Sequence, residues 1–468
     1  MEIPPNKPLL KYFKIFGLFG YKDLAVSFEG HIKIVAAENG AGKTTLLNAM
    51  YYVLAGKIEK LSAIRFQYIE LLFDGDKTPL RINKSDLDLG PVQIEQVLAT
   101  PSLRALSPYI DNTKSLLPLL EAVHEGNPEG IRSLAAYREI FTKSPFGFDE
   151  IVDRLERAIP TMVSGLPKLA KLKDTIARKL GNLRVLYLPT YRRIEANPSE
   201  SRRDTTRRPH EKTEKGSKSD TLIYFGLTDI EAKLEQLTDG IRQRTFSGYV
   251  ETSARTVDAL LSASAGEEQS ATSTAELDIS IIELMLARIG KKSDELVIKR
   301  LRQLVETGAI YSDQNRGLRH FLQSLSGIYQ TQRADEELIE NFVKVVNEYW
   351  ESSIDKKEFS YDKLQAKVSL RNSFSPSDEG IPMDSLSSGE KQIVSLFARL
   401  CLDRADYIIL IDEPELSLSI EWQRRLLPDI VKTEACKGLL AITHSPFVFQ
   451  NELQPYAGAL ELHLHKQG

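Results

Sequence analysis

A glycine-rich segment, AENGAGKTT at residues 37–45, has the residue types and spacing needed to hold phosphate groups. From Ala37 to Thr44 it follows the pattern GxxxxGK(S/T), with alanine in place of the first glycine. Glycines let backbone N–H groups close around phosphate oxygens, and the start of the following helix adds a favourable dipole. Lys43 is suited to bridge the β- and γ-phosphates, and the Thr44 hydroxyl to ligate Mg²⁺. The sequence therefore predicts a site for ATP and Mg²⁺. Its predicted nucleotide-binding residues are Asn39, Gly40, Ala41, Gly42, Lys43, Thr44 and Thr45.

An acidic pair, Asp412 and Glu413, follows the apolar run IILI. Such a run is typical of a buried strand in a parallel sheet, and ligands bind at the carboxyl ends of these strands. Asp412 is then placed to hold Mg²⁺ through a water, and Glu413 to accept a proton from the attacking water. An acidic pair at a strand end also occurs in ordinary turns. Its combination with the phosphate loop favours the catalytic interpretation.

A third candidate is the helix start at Ser387, Ser388 and Gly389, which precedes an apolar helix face. Serine at an N-cap explains such a start on structural grounds alone. A serine–glycine helix start is also an anion site, because its N–H groups have no partner within the helix. Both interpretations stay open from these residues.

Two further polar residues accompany apolar runs. Gln67, in RFQYIELLF, is a candidate Mg²⁺-contacting residue, and a role as a surface glutamine is equally consistent with the sequence. His444 directly follows the run GLLAIT and is a second candidate for a functional role, although a lone histidine in such a place is more often structural.

The elements that must position these residues alternate between strand and helix patterns. Residues 10–36 contain three short apolar runs separated by turns, the last of which enters the phosphate loop. A helix-spaced segment then ends at Gly56, and strands alternate with helices after residue 361. This order predicts the α/β class, with a phosphate-loop parallel sheet and N-terminal antiparallel strands.

The predicted α/β head is interrupted by a mainly helical insertion. The head comprises residues 1–79 and 341–468, and the insertion residues 80–340, from which a strand at 185–188 rejoins the head. Residues 195–220 have no large apolar side chain and are expected to form a mobile loop. Their arginines offer a nucleic-acid contact, but mixed charge of this kind is more often a solvated linker.

Composition excludes several classes of protein. The chain has 468 residues, a net charge of −4 and two cysteines, and it lacks both a long apolar run and a basic, apolar N-terminus. A membrane partner, a secretory signal and a disulfide framework are therefore not expected, and we expect a cytoplasmic protein. Nucleic-acid binding stays possible but would require a local basic patch.

The order of these motifs resembles that of ABC-type ATPases. LSSGE, at 386–390, is similar to their LSGGQ signature and precedes the acidic strand as it does in that family. The resemblance implies an ATPase whose site is shared between two protomers, the signature of one closing on the γ-phosphate bound by the other. It also implies that His444 is the switch histidine that contacts the γ-phosphate, and that residues 416–423 form the D-loop.

The layout of the chain, with a long insertion between the two halves of the site, resembles that of the SMC-like and RecF-like ATPases. The strings LPTYRRIE, LSSGEKQ, IDEPELSLSIEWQRRLLP and ITHSPF are similar to those of the OLD-like bacterial group, which includes ATPase subunits of anti-phage systems such as PARIS and Septu. The resemblance implies a homo-oligomeric sensor or scaffold that holds and releases a separate effector protein, expected to be a nuclease, because only a short tail follows His444. The alternative is a RecF/SMC-like ATPase for DNA repair or maintenance.

Overall fold

The computed structural model describes residues 8–36, 40–87, 101–110, 116–124, 128–164, 167–189, 227–264, 277–290, 295–351, 355–372, 374 and 380–465. The strands are β1 Leu10–Leu18, β2 Lys22–Ser27, β3 Ile32–Ala36, β4 Tyr68–Phe73, β5 Leu80–Asn83, β6 Arg184–Leu188, β7 Lys357–Asp362, β8 Lys367–Asn372, β9 Tyr407–Asp412, β10 Cys436–Thr443, β11 Ala457–Ala459 and β12 Glu461–Leu464. The helices are α1 Lys43–Leu54, α2 Pro101–Arg104, α3 Leu116–His124, α4 Pro128–Ser133, α5 Ala135–Lys143, α6 Phe148–Ser164, α7 Pro167–Leu180, α8 Leu227–Ser264, α9 Ile279–Ile289, α10 Glu295–Glu306, α11 Arg316–Trp350, α12 Ser388–Leu402 and α13 Ile420–Lys432. The predicted mixed α/β class is confirmed.

Two compact units divide the chain: Met1–Ile223 with Ala405–Gly468, and Tyr224–Arg404. These divisions differ from the boundaries that the sequence suggested near residues 80 and 341. The helices between residues 101 and 180 bury leucines such as Leu119, Leu155 and Leu169 in the same core as the N-terminal strands. An amphipathic helix shows which of its faces is buried but not which core receives it, and the sequence pattern therefore could not locate this division.

A parallel five-stranded sheet in the first unit has the order β11-β3-β10-β9-β6. All six residues of β9 are buried, which explains its unbroken apolar sequence. Thr443 of β10 pairs with Ala36 of β3, and Ile442 pairs with Asp412 of β9. The carboxyl ends of β3, β9 and β10 therefore meet at one edge of the sheet. β6 pairs in parallel with β9, so the structure has a strand where the sequence predicted one at 185–188.

A second five-stranded sheet in this unit has the order β12-β2-β1-β4-β5. Its strands are antiparallel, as expected for the N-terminal segment, and β4 alternates between buried and half-buried residues. Apolar side chains of α1, including Leu46, Leu47 and Val53, share one core with both sheets. Burial of this apolar face thus fixes the position of α1, the helix that follows the phosphate loop.

The second unit is built on the antiparallel pair α8 and α11. Arg244 bonds to Asp335 and Thr245 to Gln332, so residue numbers rise along one helix as they fall along the other. On α8, the apolar side chains of Ile230, Leu234 and Ile241 are buried. The β7–β8 hairpin belongs to this unit, as does α12 with its serine–glycine start.

No helix in the described part of the chain combines the length and the apolarity that crossing a membrane requires. Cys401 and Cys436 are buried free thiols, and burial raises the pKa of each to about 12. Neither is a reactive thiolate at neutral pH.

Candidate functional site

The phosphate-loop segment passes directly from β3 into α1. Gly40 and Gly42 have φ values of +79° and +99°, a region that side chains with a Cβ rarely enter. Gly42 also stands at the N-cap of α1, where an added Cβ would lie 3.0 Å from Leu24 Cδ1. The first N–H groups of α1 follow it, and N–H groups at a helix start, which have no acceptor within the helix, are suited to an anion. Asn39 and Ala37 lie outside the described residues.

Lys22 of β2 supports this loop from the antiparallel sheet. Its side chain is 4% exposed, and its Nζ donates to the carbonyl oxygens of Gly40 at 3.1 Å and Ala41 at 3.3 Å. The rings of Phe19 and Tyr21 lie 5.3 and 5.4 Å from the same ammonium group. No motif pointed to Lys22, and its one signal in the sequence was a lysine among the apolar residues of a strand.

Thr44 and Asp412 come together from opposite ends of the sequence. The Thr44 hydroxyl donates to Asp412 Oδ2 at 2.7 Å, and Asp412 is 2% exposed. A hydroxyl and a carboxylate are hard oxygen ligands of the kind that Mg²⁺ prefers. The donor set therefore fits the predicted metal ion.

Glu413 has a backbone conformation that is rare outside glycine. Its φ is +51°, and its N–H donates to Ile442 O at 2.8 Å. A left-handed residue other than glycine costs about 1–2 kcal/mol, and such strain is often found at functional sites. Glu413 Oε1 lies 3.9 Å from Lys43 Nζ and 3.5 Å from His444 Nε2. The structure thus brings the proposed base together with the lysine and the histidine.

Lys43 is a buried cation, with 6% of its side chain exposed. Burial lowers the pKa of Lys43, while the nearby carboxylates of Glu413, Asp412 and Glu415 act in the opposite direction. A charge removed from water interacts more strongly with an opposite charge nearby. Lys43 is therefore well placed to interact with phosphate.

Gln67 lies just before β4 and is exposed. Its backbone N–H donates to Phe16 O at 2.8 Å, and its side chain packs against Gly17, where an added Cβ would meet it at 2.4 Å. Within the described residues we find no contact between its side chain and the Thr44–Asp412 pair. Its role as a Mg²⁺-contacting residue stays a prediction.

Ser387, Ser388 and Gly389 belong to the second unit. Ser387 is the N-cap of α12 and shares a capping box with Glu390, whose Oε2 accepts from the Ser387 N–H at 2.7 Å. Lys357 of β7 pairs with Glu390 at 3.2 Å. Ser388 is exposed at the first helical position. The structural interpretation of the serine start therefore holds for Ser387, while Ser388 has its side chain on the surface.

A cavity of about 710 Å³ opens beside the phosphate loop. It is bounded by the β1–β2 turn, by Gly40 and Ala41, by His444 and by the last two strands, with Tyr21, Leu462 and Leu464 among its lining residues. Cavities of a few hundred cubic ångströms or more accommodate small organic ligands. This one has both apolar walls and a polar end at the phosphate loop.

A phosphate loop after one parallel strand, an acidic pair after a second and a histidine after a third are together typical of P-loop ATPases. A model of the family described as "AAA domain, putative AbiEii toxin, Type IV TA system" matches residues 38–449. The chain belongs to this family of ABC-type ATPases.

Two further likenesses were found. The DNA replication and repair protein RecF of Clostridium kluyveri is 38% identical over 53 residues, which are 11% of this chain and 15% of RecF. The chain thus spans about 15% of the length of this curated relative. The crystal structure of the Smc head domain of Pyrococcus furiosus, with an extended coiled coil and bound to the C-terminal domain of ScpA, aligns over 97% of this chain and 96% of that one. The identity is 12% and the TM-score 0.33.

Proposed function

We propose that this protein binds ATP with Mg²⁺ and hydrolyses it to ADP and phosphate. The observation that carries the proposal is the convergence of Lys43, the Thr44–Asp412 pair and the Glu413–His444 pair at one edge of the parallel sheet. Each of these groups meets a separate requirement of phosphoryl transfer to water. Family membership supports the same activity.

In this mechanism Lys43 and the N–H groups at the start of α1 hold the β- and γ-phosphates. Thr44 and Asp412 hold Mg²⁺, which when bound neutralises phosphate charge. Glu413 accepts the proton of the attacking water, and His444, whose Nε2 lies 3.5 Å from Glu413 Oε1, is assigned the contact with the γ-phosphate. The cavity beside the loop, lined by Tyr21, takes the nucleoside end of ATP.

We also propose that the site is completed by a second copy of the chain. Ser388 is exposed at a helix start, as a residue that closes on a partner's phosphate must be. The similarity of LSSGE to the ABC signature supports this arrangement.

The variant Ser388→Arg is expected to bind ATP but not to hydrolyse it, because arginine does not fit at a helix start pressed against the partner's nucleotide. Mixing it with Lys43→Ala protein, which lacks the other half of the site, should restore activity in one composite site per dimer. Steady-state phosphate release measures this recovery. No recovery, despite mixed dimers confirmed by mass, would contradict a site shared between subunits.

At the level of the cell, we propose a cytoplasmic homo-oligomeric sensor or scaffold of anti-phage defence that holds and releases a separate effector, a nuclease in our proposal. The family description, which names a toxin and a toxin–antitoxin system, supports a role together with a second protein. The alternative is a DNA-repair or DNA-maintenance ATPase, which the 38% identity to a segment of RecF favours.

Expression of this chain with its genomic neighbours, pull-down and phage challenge separate the two functions. We expect a co-purifying effector and a loss of protection when the neighbouring genes are deleted. Purification of the chain alone, with protection unaffected by the deletion, would contradict the scaffold. ATP turnover stimulated by duplex DNA would then support the maintenance function.

A further inference from the structure

The carboxylate of Glu415 ties the loop after β9 to the loop after β10. Glu415 Oε1 accepts from the backbone N–H of His444 at 2.7 Å and from that of Ser445 at 3.2 Å. Its Oε2 accepts from the Thr443 hydroxyl at 2.8 Å. One side chain therefore holds three consecutive residues, and the proposed switch histidine is the middle one.

Gln423 of α13 makes a second tie between the same loops. Its Nε2 donates to the carbonyl oxygens of Glu415 at 3.3 Å and Leu418 at 3.0 Å. Its Oε1 accepts from the Ser445 hydroxyl at 2.7 Å. The amide thus joins the segment Glu415–Leu418 to Ser445 from the side of the helix.

From these contacts we infer that Glu415 is a positioning residue, which acts on hydrolysis by fixing the backbone of His444. The inference rests on the proposed function. The His444 side chain is one-third exposed and lies 3.5 Å from Glu413, whereas the neighbouring Thr443 is fully buried. The imidazole therefore depends on its backbone for its direction, and that backbone is held by Glu415.

The chemical requirement at Glu415 is for acceptor oxygens. Burial raises the pKa of Glu415, while the hydrogen bonds from Thr443 and Ser445 and the charge of Lys43 act in the opposite direction. Glutamine keeps one acceptor oxygen in the same place for the two N–H groups, and its NH₂ group donates to the Thr443 hydroxyl. Alanine keeps none, so the His444 N–H loses its acceptor, and the Ser445 N–H keeps only the Thr443 hydroxyl oxygen at 2.9 Å.

The test compares Glu415→Ala and Glu415→Gln with the wild type in phosphate release and in ATP affinity. We expect Glu415→Ala to lower kcat by about tenfold to a hundredfold, the order expected for misplacement by about 1 Å, with ATP affinity within about twofold of wild type. Glu415→Gln should retain most of the turnover. Glu434→Ala, at an exposed position just beyond the end of α13, is the matched control.

Hydrogen exchange of the amides of His444 and Ser445, which donate to Glu415, provides a readout that does not require activity. Faster exchange in Glu415→Ala, but not in Glu415→Gln, is expected whether or not the wild type turns over ATP. A wild-type protein without ATP turnover would therefore contradict the proposed function, but the exchange test of the Glu415 contacts could still be carried out. If Glu415→Ala does not fold, Gln423→Leu removes the second tie and should show the same effects to a smaller extent. An equal loss of kcat in Glu415→Ala and Glu415→Gln would overturn the inference. Unchanged amide exchange in Glu415→Ala would overturn it as well.

Discussion

The variant Lys43→Ala is expected to lose ATP binding, with an affinity at least about a hundredfold below that of the wild type. Truncating one member of a buried charge pair typically costs about 2–5 kcal/mol, and 2.8 kcal/mol corresponds to a factor of about a hundred. Lys43 is 6% exposed and has three carboxylates nearby. Its removal therefore takes away the buried cation and leaves an acidic surrounding that repels phosphate.

Calorimetric titration of the protein with ATP, in the presence of Mg²⁺, measures this loss of affinity. Lys437→Ala is the matched control, because Lys437 lies in the same unit on β10 with 41% of its side chain exposed. The control should bind ATP as the wild type does. An unchanged affinity in Lys43→Ala would refute the phosphate-loop assignment.

The variant Glu413→Gln is expected to bind ATP but to lose turnover by about a hundredfold or more. A positioned general base contributes about 10²–10⁴ in rate, and an amide cannot accept the proton of the attacking water. Glutamine has nearly the same shape, so the loop after β9 and its contact with Ile442 O should persist. ATP that is bound but not hydrolysed should then accumulate in dimers that depend on a bound nucleotide.

Phosphate release and light scattering with ATP test this expectation together. Glu452→Gln, a substitution at a half-exposed surface carboxylate, serves as the control and should behave as the wild type. Turnover at the wild-type rate in Glu413→Gln would show that another group is the base.

The positions of the candidate site residues in the fold could be anticipated because these residues follow strands that are buried on both faces. Such strands appear as unbroken apolar runs, so β9 and β10 marked the positions of Asp412, Glu413 and His444. The glycines at 40 and 42 carried a similarly strong signal, since both adopt positive φ. Local sequence was sufficient to predict where these residues lie, because each one directly follows or belongs to an element that the local pattern identifies.

Other features depend on contacts between distant elements. No pattern linked Lys22 to the carbonyl groups of Gly40 and Ala41, because that contact depends on how β2 of one sheet meets the loop after β3 of the other. The positive φ of Glu413 was also hidden, since glutamate carries no preference for it. The network of Glu415 and Gln423 joins two loops that are adjacent only in the folded sheet.

The helical segments illustrate the same limit. Their periodicity predicted helices correctly, but helices between residues 101 and 180 share the core of the N-terminal strands, while α8–α11 lie in the second unit. The loop expected at 195–220 lies outside the described residues, and so does Asn39.

We propose that Lys43, Thr44, Asp412, Glu413 and His444 form one site that hydrolyses ATP. The most direct test is phosphate release from ATP by the purified wild-type protein, with Mg²⁺ and with excess chelator. We predict turnover that requires Mg²⁺ and ceases on chelation. An absence of Mg²⁺-dependent phosphate release by folded protein at saturating ATP, over a range of concentrations that allows dimers to form, would contradict it.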